Sequence, residues 1–203
     1  MAWGILLAGG RSSRMGTDKL DLSLEGRTLA QRGVDALLGV AEGVVVASPH
    51  REGFDDPRVE FVLEDPPFGG PVAGIAAALE RLPERDVEVY VLAGDLADPA
   101  PLVALLASGV PGEDGLALVD EEGWPQYLAG RYRSSALRRV VSGEVRDRSV
   151  HRTFRPLRLA LSPVVSAMAA DVDTPEQARH AGIDPVDNRC DNRRSTDLSN
   201  LDE

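Results

Sequence analysis

An apolar run, Trp3–Ala8, breaks directly into Gly9-Gly10 and a loop that carries Arg11, Arg14 and Lys19. The run reads as a buried first strand. Glycine has no Cβ, so an anion can come close to the backbone N–H groups of Gly9 and Gly10. The arginines and the lysine supply charge that suits phosphate oxygens. In an open α/β sheet, the loop leaving the carboxyl end of the first strand is the usual place for a nucleotide. The segment therefore reads as a phosphate site on a parallel-sheet fold.

Two common nucleotide loops are excluded. A P-loop requires Gly-x-x-x-x-Gly-Lys-Ser/Thr, whereas Gly10 and Gly16 are too far apart and no Lys-Ser/Thr follows Gly16. The dinucleotide fingerprint Gly-x-Gly-x-x-Gly is also missing, which argues against NAD or FAD.

The rest of the chain supports an α/β sheet. Strand-like runs at Trp3–Ala8, Gly43–Ala47, Val59–Leu63 and Val87–Ala93 alternate with helical patterns at Thr28–Leu38, Val72–Leu82 and Pro99–Leu106. Such alternation predicts βαβ crossovers and a Rossmann-like, mostly parallel sheet with helices on both faces. Val87–Ala93 is apolar except for Glu88, as expected of a central strand covered on both sides. From Gly115 the pattern changes: Leu116–Val119 and Gln126–Tyr132, joined through Glu121-Glu122-Gly123, predict a hairpin inserted in the sheet. Ser134 or Ser135 is expected to cap a helix running to about Ser142. Thr174-Pro175-Glu176-Gln177 reads as a further helix start with a capping box. The expected division is one α/β domain over 1–183 and a polar, disordered tail over 184–203.

A net charge of −11 argues against nucleic acid or an anionic membrane as a general partner. The N-terminal apolar run lacks a basic flank and is short for a signal peptide or membrane span, so the expected compartment is the cytoplasm. The single cysteine, Cys190, provides neither a disulfide framework nor a cysteine metal site.

Leu-Ala-Gly-Gly-x-Ser-x-Arg-Met-Gly-x-Asp-Lys, residues 7–19, resembles the signature of nucleotidyltransferases that attach a nucleotide to molybdopterin, the molybdenum cofactor guanylyltransferase family. The resemblance covers about residues 3–182. It implies transfer of GMP from Mg-GTP to molybdenum-bearing molybdopterin with release of pyrophosphate. Leu7, Ala8, Gly9, Gly10 and Arg14 would cradle the nucleotide, and Lys19 would neutralise charge at the α-phosphate. Molybdoenzymes or their chaperones would receive the product.

Three carboxylates follow from the same resemblance. Asp95, in Leu92-Ala93-Gly94-Asp95, stands where the family holds Mg²⁺ just beyond a central strand. Ala97 replaces the family's usual proline there and Pro99 comes two residues later, which leaves Asp98 as a weaker second candidate. A turn or helix-cap role for Asp95 is the alternative. Asp173, in Asp171-Val172-Asp173-Thr174-Pro175-Glu176, is the expected second metal ligand, with helix capping as the competing reading. Asp65, in Leu63-Glu64-Asp65-Pro66-Pro67, stands where guanylyltransferases carry an acid able to accept both guanine N1–H and N2–H; a turn former before Pro-Pro is the alternative. The following Gly-Pro-Val-Ala-Gly brings Gly74 towards the nucleotide. Some relatives have Asn where this chain has Ala47-Ser48, so the backbone near Ala8 and Gly74 would complete base recognition.

The acceptor side is less defined. Arg146, Arg148, His151, Arg152, Arg155 and Arg158 form either a basic rim for an anionic acceptor or an ordinary salt-bridged surface. Trp124-Pro125-Gln126-Tyr127 resembles the family's hairpin segment bordering the acceptor pocket. The alternatives for the whole chain are a related transferase using CTP or another phosphorylated acceptor, and a non-catalytic nucleotide-binding module.

Overall fold

Val44, Val45 and Val46 are all fully buried although successive strand residues point to opposite faces. The strand they form must therefore be covered on both sides. A computed structural model, which describes residues 1–9, 20, 23–24 and 26–164, shows how this is done. The chain runs β1 (Ala2–Leu7), β2 (Ser23–Leu24), β3 (Arg27–Thr28), α1 (Leu29–Leu38), β4 (Gly43–Ala47), β5 (Val59–Val62) and α2 (Pro71–Leu79). It continues through β6 (Glu88–Ala93), α3 (Pro99–Ser108), β7 (Gly115–Val119), β8 (Pro125–Arg133), α4 (Ser134–Val140), α5 (Val150–Phe154) and β9 (Leu159–Pro163).

Seven strands form one sheet in the order β5-β4-β1-β6-β8-β7-β9, while β2 and β3 make a separate small ribbon. The pairs β5–β4, β4–β1, β1–β6 and β7–β9 are parallel. β8 is antiparallel to both β6 and β7. One face packs Ile5, Val45 and Val91 with Val72, Ile75 and Leu79 of α2 and Phe154 of α5. The other packs Leu6, Val46 and Leu92 with Val34 and Leu37 of α1 and Leu102 and Leu106 of α3. Removing this apolar surface from water is the main stabilising term, about 25 cal/mol per Å².

Local chemistry sets the helix starts. Thr28 caps α1: its Oγ1 accepts the Gln31 N–H at 3.1 Å, and Gln31 Oε1 accepts the Thr28 N–H at 3.0 Å. α4 corrects the expectation that Ser134 or Ser135 caps its own helix, because the N-cap is Arg133. Ser134 Oγ is fully buried and instead accepts the Val87 N–H at 3.0 Å. The orphan amide of Ser135 donates to Asp86 Oδ1 at 2.9 Å, so a carboxylate from the preceding β6 loop does the capping. Burial works against the charge on Asp86, but the Ser135 and Ser134 hydrogen bonds outweigh it and hold its pKa below the usual value.

The helix start at Thr174 and the polar tail 184–203 lie outside the described residues. No helix among the described residues is long and apolar enough to cross a membrane.

Candidate nucleotide site

β4, β1 and β6 run parallel, so their last residues share one edge of the sheet: Ala47, Leu7 and Ala93 are register partners. Ala8 continues β1 by donating its N–H to Ala47 O at 3.2 Å. Arg51, from the β4–β5 connection, donates to Ala8 O at 3.1 Å and brings a guanidinium to the base of the glycine loop. At Gly9 an added Cβ would stand 3.0 Å from Ala47 O, a backbone atom that cannot rotate away. Gly74 is equally confined: its Cβ would meet Ala47 Cβ at 3.3 Å and Leu7 Cδ2 at 3.4 Å. Small residues at both positions keep open the angle between the sheet edge and α2.

A cleft of about 420 Å³ occupies that angle. Leu7, Gly9 and Ala47 form its floor, and Gly70, Pro71 and Gly74 bring the first turn of α2 to one wall. The N-cap Gly70 has φ 86° and makes no side-chain cap, so the positive end of the α2 dipole faces this wall. Glu64, Phe68 and Arg146 complete the lining. Glu64 Oε1 accepts the Gly69 N–H at 3.0 Å, which folds the 64–70 loop back on itself. Phe68 holds φ 63°, a left-handed conformation uncommon for a bulky side chain, and its ring is exposed beside the cleft.

Leu7, Gly9 and Gly74 thus meet at one place, with Ala8 buried just behind them. Asp65 is exposed and lines the adjoining cavity with Pro66, Ala73, Ala77 and Arg81; Glu64 and Arg146 border both spaces. The Asp65–Pro66 peptide is cis. Asp95 is half-buried immediately past β6, one strand over from Leu7. It does not cap α3, whose N-cap is Asp98. The Asp98 side chain is largely exposed, with Arg32 at 3.6 Å. Gly10, Arg14, Lys19 and Asp173 lie outside the described residues.

Residue-level reading of the sequence leaves two cleft residues, Glu64 and Phe68, without a nucleotide role, and does not single out Arg51 at the Ala8 carbonyl. Glu64 stands beside the chosen Asp65, and only the course of the loop separates the two. Arg146 was grouped with the basic stretch, but it crosses from the α4–α5 connection to donate to Pro66 O at 3.3 Å. Asp147 N–H follows it to Gly69 O at 2.7 Å. Arg158, at the end of the basic stretch, pairs with Glu113 at 2.6 Å, away from the cleft.

Among the described residues no group of three or more His, Cys, Asp or Glu side chains converges as a metal cage. Mg²⁺ does not need one, since it keeps several waters and commonly takes one or two carboxylates plus substrate phosphates. Asp95 at a sheet edge beside a phosphate-sized cleft fits that pattern.

Comparison with known proteins agrees with this geometry. The family model for the MobA-like NTP transferase domain matches residues 4–164. A probable molybdenum cofactor guanylyltransferase of Opitutus terrae is 45% identical over 95 residues, spanning 46% of this chain and 47% of that protein. Another of the same name, from Chloroflexus aggregans, is 33% identical over 156 residues, covering 72% of this chain and 74% of that one. The solved nucleotidyl transferase of Methanothermobacter thermautotroptrophicus shares the fold, with a TM-score of 0.68 at 19% identity over 89% of this chain and 95% of that chain. The chain belongs to the MobA-like NTP transferase family and is a nucleotidyltransferase.

Proposed function

We propose that this enzyme transfers GMP from GTP to the terminal phosphate of molybdenum-bearing molybdopterin, in the cytoplasm. The observation that carries this reading is the cleft in which Leu7, Gly9 and the first turn of α2 meet, one strand away from Asp95. The names of the relatives from Opitutus and Chloroflexus support the acceptor and the nucleotide.

An acceptor phosphate oxygen would attack the α-phosphorus, forming one P–O bond while the bond to the β-phosphate oxygen breaks and pyrophosphate leaves. Charge accumulates on the leaving group, so positioning and neutralisation dominate catalysis. Gly9, Gly10 and Arg14 would hold the β- and γ-phosphates. Lys19 would neutralise the α-phosphate, and Asp65 would accept the guanine N–H groups. Asp95 and Asp173 would hold Mg²⁺, which when bound supplies a Lewis acid to the phosphate oxygens. No covalent enzyme intermediate is required, because the acceptor phosphate is itself a nucleophile.

The test is incubation of the purified chain with molybdopterin, Mg²⁺ and GTP, CTP or ATP in parallel, with pyrophosphate release and product mass as readouts. The expected product is the guanine dinucleotide. Equal or better use of CTP by the unmodified chain overturns the guanine reading, and no transfer to molybdopterin from any nucleotide overturns the acceptor.

A further inference from the structure

We propose that Trp124, backed by His151, forms the platform on which the flat heteroaromatic ring of the acceptor stacks, on the far side of Asp95 from the nucleotide cleft. The identity of that ring as a pterin rests on the function proposed above.

Sheet order carries the placement. The cleft stands over the ends of β4 and β1, Asp95 follows β6, and the turn before β8 comes next. The antiparallel pair Leu92–Ala129 fixes the register of β6 and β8. Beyond that pair β8 bulges, since Ala117 faces Gly130 but Leu118 faces Gln126, so strand order rather than residue register places the turn. Two strand spacings separate β1 from β8, about 10 Å across the sheet. Leu7 and Tyr127 both pack against the α2-side core, so cleft and turn lie on one face. An acceptor ring at the turn would direct its phosphate back towards Asp95 and the nucleotide.

The platform is built and rigid. Trp124 and His151 stand 6.2 Å apart edge to face, and His151 and Tyr127 5.8 Å apart. The row continues through Phe154 to Tyr132, both fully buried, which anchors it in the core. Asp120 locks the turn. Its Oδ1 accepts the Trp124 N–H at 2.8 Å and the Glu122 N–H at 3.1 Å, and its Oδ2 accepts from Gln126 Nε2 at 2.8 Å. Even so, 58% of Trp124 remains exposed. A large ring held in place and left in water loses little freedom when a flat ligand covers it. Arg152 and Arg155, on α5 and its end, are both exposed and set positive charge against the exposed Glu121 and Glu122 of the turn.

The test compares the unmodified chain with Trp124→Ala and Trp124→Phe. Each is titrated calorimetrically with a pterin bearing a phosphate monoester side chain, and assayed for the KM of molybdopterin and of GTP. Trp124→Ala is expected to raise the probe Kd and the molybdopterin KM by about tenfold, with the GTP KM unchanged. Trp124→Phe should retain most of the affinity, which a merely disrupted turn would not allow. The probe should also quench tryptophan emission in the unmodified chain more than in Trp124→Phe, because Trp3 lies at the opposite end of β1. Equal probe affinity in Trp124→Ala and the unmodified chain overturns the platform. So does a Trp124→Ala chain whose only change is loss of self-association in sedimentation, since a second copy would then be the occupant. GTP-dependent transfer with an unchanged molybdopterin KM in Trp124→Ala sinks the platform and leaves the function standing. Probe binding that depends on Trp124, in a chain that transfers nothing from GTP, does the reverse.

Discussion

Gly94 donates its amide hydrogen to the carbonyl of Leu7 at 2.9 Å, tying the residue before Asp95 to the residue that ends β1. The contact couples the carboxylate to the floor of the cleft. A Cβ at residue 94 would stand 2.9 Å from Leu7 O and 3.3 Å from Ala8 Cα, both of them backbone atoms. Gly94→Ala is therefore expected to push β1 and β6 apart at their ends and to lower the melting temperature by several degrees. With Asp95 displaced, kcat should fall at least about tenfold, given how sharply rate depends on placement of reacting groups. A thermal melt and a transfer assay at saturating Mg²⁺ check both effects; a variant with normal kcat would uncouple Asp95 from this contact.

Asp95→Asn keeps the shape of the side chain and removes the charge. A neutral amide binds a hard cation far less well, so turnover should be lost while the melting temperature stays within about a degree. The assay should span a wide range of Mg²⁺ concentration. Recovery of full kcat at high Mg²⁺ would remove Asp95 from the metal site.

Two adjacent acids can be separated by substitution. Asp65→Ala should weaken GTP selectively and erode its preference over ATP and CTP, because guanine would lose the acceptor proposed for its N1–H and N2–H. Glu64→Gln retains an oxygen able to accept the Gly69 N–H and so preserves the loop. Competition among the three nucleotides on each variant assigns the base. A loss of preference in Glu64→Gln with none in Asp65→Ala would transfer the role to Glu64, which lines the cleft itself.

Acid stability should depend on Asp114, which is nearly buried. Burial disfavours its charge, but Arg139 at 2.8 Å and the Arg158 N–H at 2.8 Å outweigh that penalty and hold the pKa below the ordinary 3.8. A depressed folded-state pKa stabilises the fold above the unfolded value, and the contribution is lost as pH falls through the folded one. Asp114→Asn should thus cost about 2 kcal/mol at neutral pH, with the gap to the unmodified chain closing below about pH 4. Urea melts at several pH values test this; a gap that persists at low pH would make the loss one of packing.

Strands buried on both faces were legible because such strands have no polar side. Gly43–Ala47 was read with its observed limits, and the other three early strands to within a residue. The hairpin was legible from its turn. β9 and α5 were not: Val150–Phe154 lies among Arg148, Arg152 and Arg155, and Leu159–Pro163 follows Arg158 directly. β9 is a strand because it pairs with β7, a contact far away in sequence. The cap of α4 was misread for a similar reason: Asp86 lies 49 positions before the amide it satisfies. Leu7 and Gly9 of the cleft were visible in the N-terminal motif, and Gly74 in the Gly-Pro-Val-Ala-Gly segment. The approach of Arg146 to the 64–70 loop depends on tertiary folding alone.

β8 runs against its neighbours, and that reversal has a consequence for how a protein of this kind can diversify. A parallel strand would return to the sheet through a helical crossover, whose apolar face must fit the core. β8 is reached through a short turn, from Asp120 to Trp124, whose internal hydrogen bonds are made by Asp120. Side chains at that tip can change without repacking α2, while β1 and β4 stay as they are. The hairpin tip and the cleft over β1 and β4 are thereby free to drift at different rates.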